Sequence, residues 1–380
     1  MPSGYIKNHV YRLALPFVGM RVPWHAVHGD DPQVASDLTR FFQKHRVQGG
    51  ALQCFYHGQL TGLYTAGDNI TPHTIFRTAS IAKMVTALLV FRLQTLGKLQ
   101  VDEDISQSLG YLVRNPHYPE VPITIGMLLS HMSALQDAPS YLAHMNQPPA
   151  LSALLAESYL PYEPGTQFRY SNVGAGIVGS VLEGKFGKSL EELAQTYLFT
   201  PQNIKATYDV STLPVAHVVD SYRVLPQACT LSMAQRMKNA QPICMPNSET
   251  HYTLAAGNLY TTATELAKLA VLLQQDAFIS PSCQKRMKTP IGTWPRPAVP
   301  MHHGMGVLYL ESLCSTPIWG HQGFAYGSVN GVFFDETASG FAWLNQGASE
   351  ARRGHLADIH YDLLRYFFCV NKEGLCKKTV

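Results

Sequence analysis

The sequence predicts an α/β (α+β) fold, in which an antiparallel sheet flanked by helices is built from both chain ends and carries an inserted all-helical domain. Three observations predict it. A strand-turn-strand pattern lies near the N-terminus, four strand-like runs cluster after residue 305, and the stretch between them is read as helices and loops. Strands at both ends can bury their apolar faces together only by sharing one sheet, so the intervening helices form an insertion. Residues 1–78 and 251–380 are expected to form the sheet domain and residues 79–250 the helical domain.

The 380 residues are 46% hydrophobic and 14% charged, enough to bury a large core. The first element is a helix over 31–47, with Leu38, Phe41 and Phe42 at helical spacing, stopped by Gly49-Gly50. Ala51–Tyr56 and Gly62–Ala66 follow as a hairpin around His57-Gly58-Gln59. A helix from Ser80 to about Leu96 is apolar nearly all round and stops at Gly97. Such a helix is buried, so its polar first turn must lie at the wall of a cleft. Helical signals with frequent breaks continue through Ile123–His131 and Pro148-Pro149 to a helix over Asn172–Phe186. Residues 187–250 read as short helices between Pro-rich loops. A helix over Thr262–Gln275, four strands at Gly306–Leu310, Pro317–His321, Ser328–Phe334 and Gly340–Leu344, and an amphipathic helix over Ser349–Phe368 complete the chain.

Composition narrows the function classes. The net charge of +3 is spread without basic runs, so no nucleic-acid partner is expected. The longest apolar run, Met84–Val90, is cut off by Arg92, so no transmembrane segment is expected. Arg12 followed by Leu13–Met20 imitates a signal peptide, but Pro16 and Gly19 interrupt it, and the segment is read as mature protein. Seven irregularly spaced cysteines without a C-x-x-C pair suggest reduced thiols and a cytoplasmic setting, with export after signal removal as the alternative. His302-His303 lacks a spaced third ligand and reads as a solvated loop pair, so neither a metal nor another cofactor is expected. The expected partner is a small-molecule or peptide substrate, and the sequence leaves the oligomeric state open. Gly187-Lys188-Ser189 has no P-loop context, and the absence of a G-x-S-x-G elbow argues against an α/β-hydrolase.

Three short patterns carry chemistry. Ser80-Ile81-Ala82-Lys83 puts a hydroxyl and an amine on one face of a helix, a nucleophile beside a base if burial lowers the lysine pKa. Alone, the pair equally describes a capping serine and a solvated lysine. Tyr170-Ser171-Asn172 can project a proton relay and an amide from a loop into one cleft, although a core tyrosine and a capping asparagine would look the same. His321-Gln322-Gly323-Phe324 ends a strand; its glycine admits a substrate backbone, and the next amide can point at a developing oxyanion. His321 by itself reads as a hydrogen-bonded structural histidine as readily as a catalytic one.

Taken together and in this order, the three resemble the serine D,D-peptidase and class C β-lactamase superfamily, with its S-x-x-K, Y-x-N and K/H-x-G motifs. Further matches at Phe76–Ala79, Gly97–Asp104, Ile123–His131, Glu163–Asn172 and Gly257–Thr262 extend the resemblance over roughly residues 42 to 344. It implies a metal-free serine hydrolase with its active site between sheet and helical domain. By that resemblance Ser80 is acylated, Lys83 is its base partner and Tyr170 is the general acid/base. Asn172, His321, Gly323 and Phe324 bind substrate, and the oxyanion hole is formed by the backbone N–H groups of Ser80 and Phe324. His321 resembles the D,D-peptidase and D-aminopeptidase branch. Gln322 and Phe324 stand where those enzymes carry hydroxyls near a substrate carboxylate. The expected reaction is cleavage of a D-amino-acid peptide-like amide. A carboxylesterase or acyltransferase on the same scaffold, and a penicillin-binding sensor without turnover, are the alternatives.

Overall fold

Strands from both chain ends interleave in one nine-stranded antiparallel sheet. In the computed structural model, which describes residues 8, 10–15, 25–143, 149–295 and 298–376, the strands are β1 (His28–Gly29), β2 (Gly49–Tyr56), β3 (Gln59–Ala66), β4 (Gly292–Thr293), β5 (Met301–His303), β6 (Leu308–Leu310), β7 (Ile318–Ala325), β8 (Ser328–Phe334) and β9 (Gly340–Gly347). Their order is β1-β3-β2-β9-β8-β7-β6-β5-β4. The N-terminal hairpin joins the C-terminal meander where β2 pairs with β9, Leu52 opposite Trp343. The sheet is covered on both faces. Helix α1 (Pro32–Lys44) is capped by Asp31 and buries Val34, Leu38 and Phe42 on the face that also holds Trp343. Helices α2 (Ile81–Thr95) and, later in the chain, Ala263–Leu272 lie in the larger core on the other face.

Helix α2 buries all but three of its residues, as its all-apolar sequence requires, and Gly97 follows it at φ 69°. Helix α3 (Asn172–Phe186) is capped by Ser171, whose hydroxyl accepts from the Gly174 amide. Gly176 and Gly179 leave no side chain between α3 and helix α4 (Tyr252–Gly257): a Cβ at Gly176 would stand 2.3 Å from the Tyr252 carbonyl oxygen. That close approach brings the end of α4 up to α2.

Several expectations are corrected. The region after residue 187 also contains strands: Ala206–Thr207 pairs with Tyr260–Thr261, and Ser221–Arg223 forms a hairpin with Ala228–Leu231. These strands are two to four residues long, too short to leave an alternating pattern. Residues 349–357 are not helical; Arg352–Arg353 and Leu356–Ala357 form a hairpin, and helix α5 begins at Asp358 (Asp358–Leu364). Cys314 and Cys369 form a disulfide, with their Cα atoms 5.5 Å apart. Irregular sequence spacing said nothing about that proximity, and the finding removes the reduced-thiol argument for a cytoplasmic setting. Cys54, Cys229, Cys244, Cys283 and Cys376 are free. No helix among the described residues is long and apolar enough to cross a membrane. Residues 16–20 of the signal-like run, and Pro148 of the Pro148-Pro149 break, lie outside the described residues.

Candidate active site

The first turn of α2 meets the edge of β7 at Ser80. The segment before the serine is fixed by pairing of Phe76–Arg77 with Tyr260–Thr261 and by the Thr78 amide donating to the Leu259 carbonyl at 2.9 Å. Ala79 then adopts φ 53°, a left-handed conformation that costs a non-glycine residue about 1–3 kcal/mol. Strand β6 pairs only with Ile318–Gly320 of β7, so beyond Gly320 one edge of β7 has no partner strand among the described residues. That edge faces the nucleophile. A Cβ at Gly323 would stand 2.4 Å from the Thr78 carbonyl oxygen and 3.2 Å from the Ser80 amide nitrogen. Glycine is required there for β7 to lie against the start of α2.

Lys83 is 3% exposed. Its Nζ lies 3.0 Å from Ser80 Oγ, donates to Asn172 Oδ1 at 2.9 Å and also donates to the Ala256 carbonyl at the end of α4. Burial drives its pKa down to about 7; Asp137 opposes that shift and Arg77 adds to it. Tyr170 lies beside the Ser80 side chain, and burial raises its pKa further above neutrality, so its phenol keeps its proton. Asn172 Nδ2 donates to Asp137 Oδ2 at 2.8 Å. Ser80 and Asn172 are therefore both within hydrogen-bond reach of Lys83, and the Tyr170 ring lies 5.5 Å from the same amine.

The third motif is divided between the two faces of β7. His321 and Gly323 are buried on one side, whereas Gln322, itself buried, and the half-buried Phe324 belong to the opposite side. Gln322 donates to the His355 carbonyl and accepts from the Ala357 amide, which ties down the 352–357 hairpin. The Arg352 guanidinium lies 3.7 Å above the Phe324 ring. Because no hydroxyl occupies either position, Arg352 is the polar group presented beside Phe324.

Sequence reading missed three contributors. His303 is fully buried in β5, not solvated, and its ring lies 4.6 Å from His131 and 5.9 Å from His321. His131 in turn stacks 4.3 Å from the Tyr170 ring. Burial, helped by Lys83 at all three and by His303 at His131 and His321, keeps the imidazoles neutral, with the pKa lowered to about 4 for His303 and well below normal for the others. The Nδ1 atoms of His303 and His321 donate to the carbonyls of Gly304 and Gln322, so each Nε2 is a buried acceptor without a partner. Among the described residues no group of three or more His, Cys, Asp or Glu side chains could hold a metal. The only signal for His131 was its place in the Ile123–His131 match, that for His303 only its place in the His302-His303 pair, and Asp137 carried none. Trp294 stacks on Tyr170 at 5.1 Å and on His355 at 4.6 Å, an aromatic wall that also includes Phe168.

The chain matches the family model described as Beta-lactamase over residues 34–364. A probable fimbrial assembly protein, FimD of serogroup H1 from Dichelobacter nodosus, is 26% identical over 273 residues, covering 69% of this chain and 63% of that protein. The chain thus spans less than two thirds of that relative's length. The D-alanyl-D-alanine-carboxypeptidase/endopeptidase AmpH of Escherichia coli K12 is 24% identical over 280 residues, covering 68% of this chain and 67% of its own. Among solved structures, a D-stereospecific amidohydrolase from Streptomyces superposes with a TM-score of 0.66 at 19% identity over 86% of this chain and 95% of its own, a likeness of fold.

Proposed function

The chain belongs to the beta-lactamase family, whose model it matches over 331 residues, from 34 through 364, and from that premise we propose that it is a serine hydrolase acting through a Ser80 acyl-enzyme. The observation that carries the reading is the buried Lys83 amine, with a pKa of about 7, 3.0 Å from Ser80 Oγ. A lysine with an ordinary pKa holds its proton at pH 7 and cannot accept another.

In this reading Lys83 takes the Ser80 proton as Oγ attacks the substrate carbonyl. The oxyanion forms between the backbone N–H groups of Ser80 and Phe324, at the open edge of β7 and the start of a helix. Tyr170, a neutral phenol beside Ser80, donates a proton to the leaving group. It then regains a proton from the water that cleaves the acyl-enzyme, while Lys83 returns its proton to the departing Ser80 oxygen. Asn172 has one amide hydrogen engaged by Asp137, and the second is available to a substrate carbonyl. His321 stays a neutral imidazole whose Nε2 is free to accept a hydrogen bond, and Gly323 keeps β7 close to Ser80.

For the acyl group, the amide of a D-amino acid is the substrate class we favour. Two relatives from separate comparisons name D-configured substrates, one a carboxypeptidase and one an amidohydrolase. The test compares D- and L-phenylalanine p-nitroanilides and D-alanyl-D-alanine under identical conditions. The reading expects kcat/KM for a D-amide to exceed that for its L-isomer by at least about tenfold. Equal rates, or turnover confined to simple esters, would replace it with the esterase alternative.

A further inference from the structure

We propose that Asp137 is a positioning residue: by binding the amide nitrogen of Asn172 it turns the Asn172 carbonyl oxygen onto Lys83 and thereby aims the lysine lone pair at Ser80. The inference rests on the reading of Ser80 as nucleophile and Lys83 as base.

A neutral lysine amine has two hydrogens and one lone pair. At Lys83 two carbonyl oxygens, Asn172 Oδ1 and Ala256 O, are placed to accept the two hydrogens. What remains for Ser80 Oγ, 3.0 Å away, is the lone pair that must receive the hydroxyl proton. The Ala256 carbonyl is held by the packing of α4 on the glycines of α3. The Asn172 amide has no such constraint of its own, and rotation by half a turn would present its NH2 to Lys83. Its donors would then compete for the lone pair.

Asp137 removes that freedom. An ionised carboxylate only accepts, so Asn172 must offer it Nδ2, and the 2.8 Å contact fixes which end of the amide faces Lys83. The carboxylate is itself anchored, since Oδ1 accepts from Ser171 Oγ and from the Val173 amide, both at 3.0 Å, at the N-terminus of α3. Among the described residues it forms no salt bridge, so its three partners are neutral donors. Asp137 also acts on Lys83 through space. The charged and titratable groups around the lysine are Asp137, Arg77, Tyr170 and the imidazoles of His131, His303 and His321, and Asp137 is the carboxylate among them.

The test is Asp137→Asn, which keeps the acceptor for Val173 and Ser171 but removes the charge and the requirement on Asn172. With p-nitrophenyl acetate as probe, kcat/KM is expected to fall by about tenfold to a hundredfold, mostly in kcat, as for a misplaced catalytic group. The acid limb of its pH profile is expected to move to lower pH, because the charge that favours protonated Lys83 is gone; a purely structural role would leave the limb in place. In an Asn172→Ala background the same substitution should cost little further rate, whereas additive losses would overturn the proposal. Should D137N fail to fold by circular dichroism, Asp137→Glu decides. It moves the charge away from Lys83 and off the Asn172 amide, so a rate loss with the acid limb shifted to lower pH supports the inference, and a wild-type rate, or a loss with the limb in place, refutes it. Failure of the underlying reading is seen separately, as wild-type protein that carries no acetyl group on Ser80.

Discussion

Replacing Lys83 by arginine probes the account through its proton. In the folded protein burial shifts the Lys83 pKa from 10.5 to about 7. At roughly 1.4 kcal/mol per unit, that is on the order of 5 kcal/mol favouring the neutral amine. The sign follows from the direction: a lowered lysine pKa means that the unfolded chain binds more protons, so Lys83 costs stability at neutral pH, and that cost fades as pH rises from about 7 to 10.5. Catalysis has the same sense. Below pH 7 the acylation rate should fall about tenfold per unit as the base is protonated, and above it the rate should level off. At pH 7 the shift raises the fraction of neutral amine by about three orders of magnitude over an ordinary lysine. Lys83→Arg keeps a cation next to Ser80 and Asn172 but cannot lose its proton. Stopped-flow acylation by p-nitrophenyl acetate should slow by about 10²–10⁴-fold in this variant, and the limb near pH 7 should disappear. A limb at the same pH in Lys83→Arg would mean that another group is the base.

Two further outcomes test the scaffold around the site. Gly323→Val places a branched side chain against the Thr78 carbonyl and the Ser80 amide, so it should abolish acylation, while thermal unfolding remains cooperative if the damage stays local. Titration with Ellman's reagent under denaturing, non-reducing conditions should find five thiols of seven, and reduction should expose the remaining two. Cys314→Ala removes the cross-link across a separation of 55 residues and should lower the urea-unfolding free energy by about 4 kcal/mol. Seven thiols before reduction would contradict the disulfide.

The parts of the fold that were legible from sequence are those whose residues carry their own local signal. The long helices α2 and α3 announce themselves by length, apolar run and terminal glycine, and β8 by its Val332-Phe333-Phe334 run. Gly323, Tyr170 and Ser80 were found because their chemistry depends on fixed short spacing. What escaped depends on distance in space. Asp137 reaches Asn172 across 35 residues, His303 reaches His131 across 172, and Cys314 reaches Cys369 across 55. The helix expected over 349–368 begins only at Asp358 because Arg352–Ala357 carries no apolar pattern of its own; the hairpin there is held by Gln322, 33 and 35 residues upstream of its partners His355 and Ala357.

The most direct measurement is intact-mass spectrometry with peptide mapping after rapid quenching of a reaction with p-nitrophenyl acetate, on the wild type and on Ser80→Ala. The account predicts one acetyl group per chain, on the peptide containing Ser80, and none on the Ser80→Ala protein, whose circular dichroism should match the wild type. An acetyl group that persists in Ser80→Ala, or that maps to another residue in the wild type, would contradict the assignment of Ser80 as the nucleophile and with it the role given to Lys83.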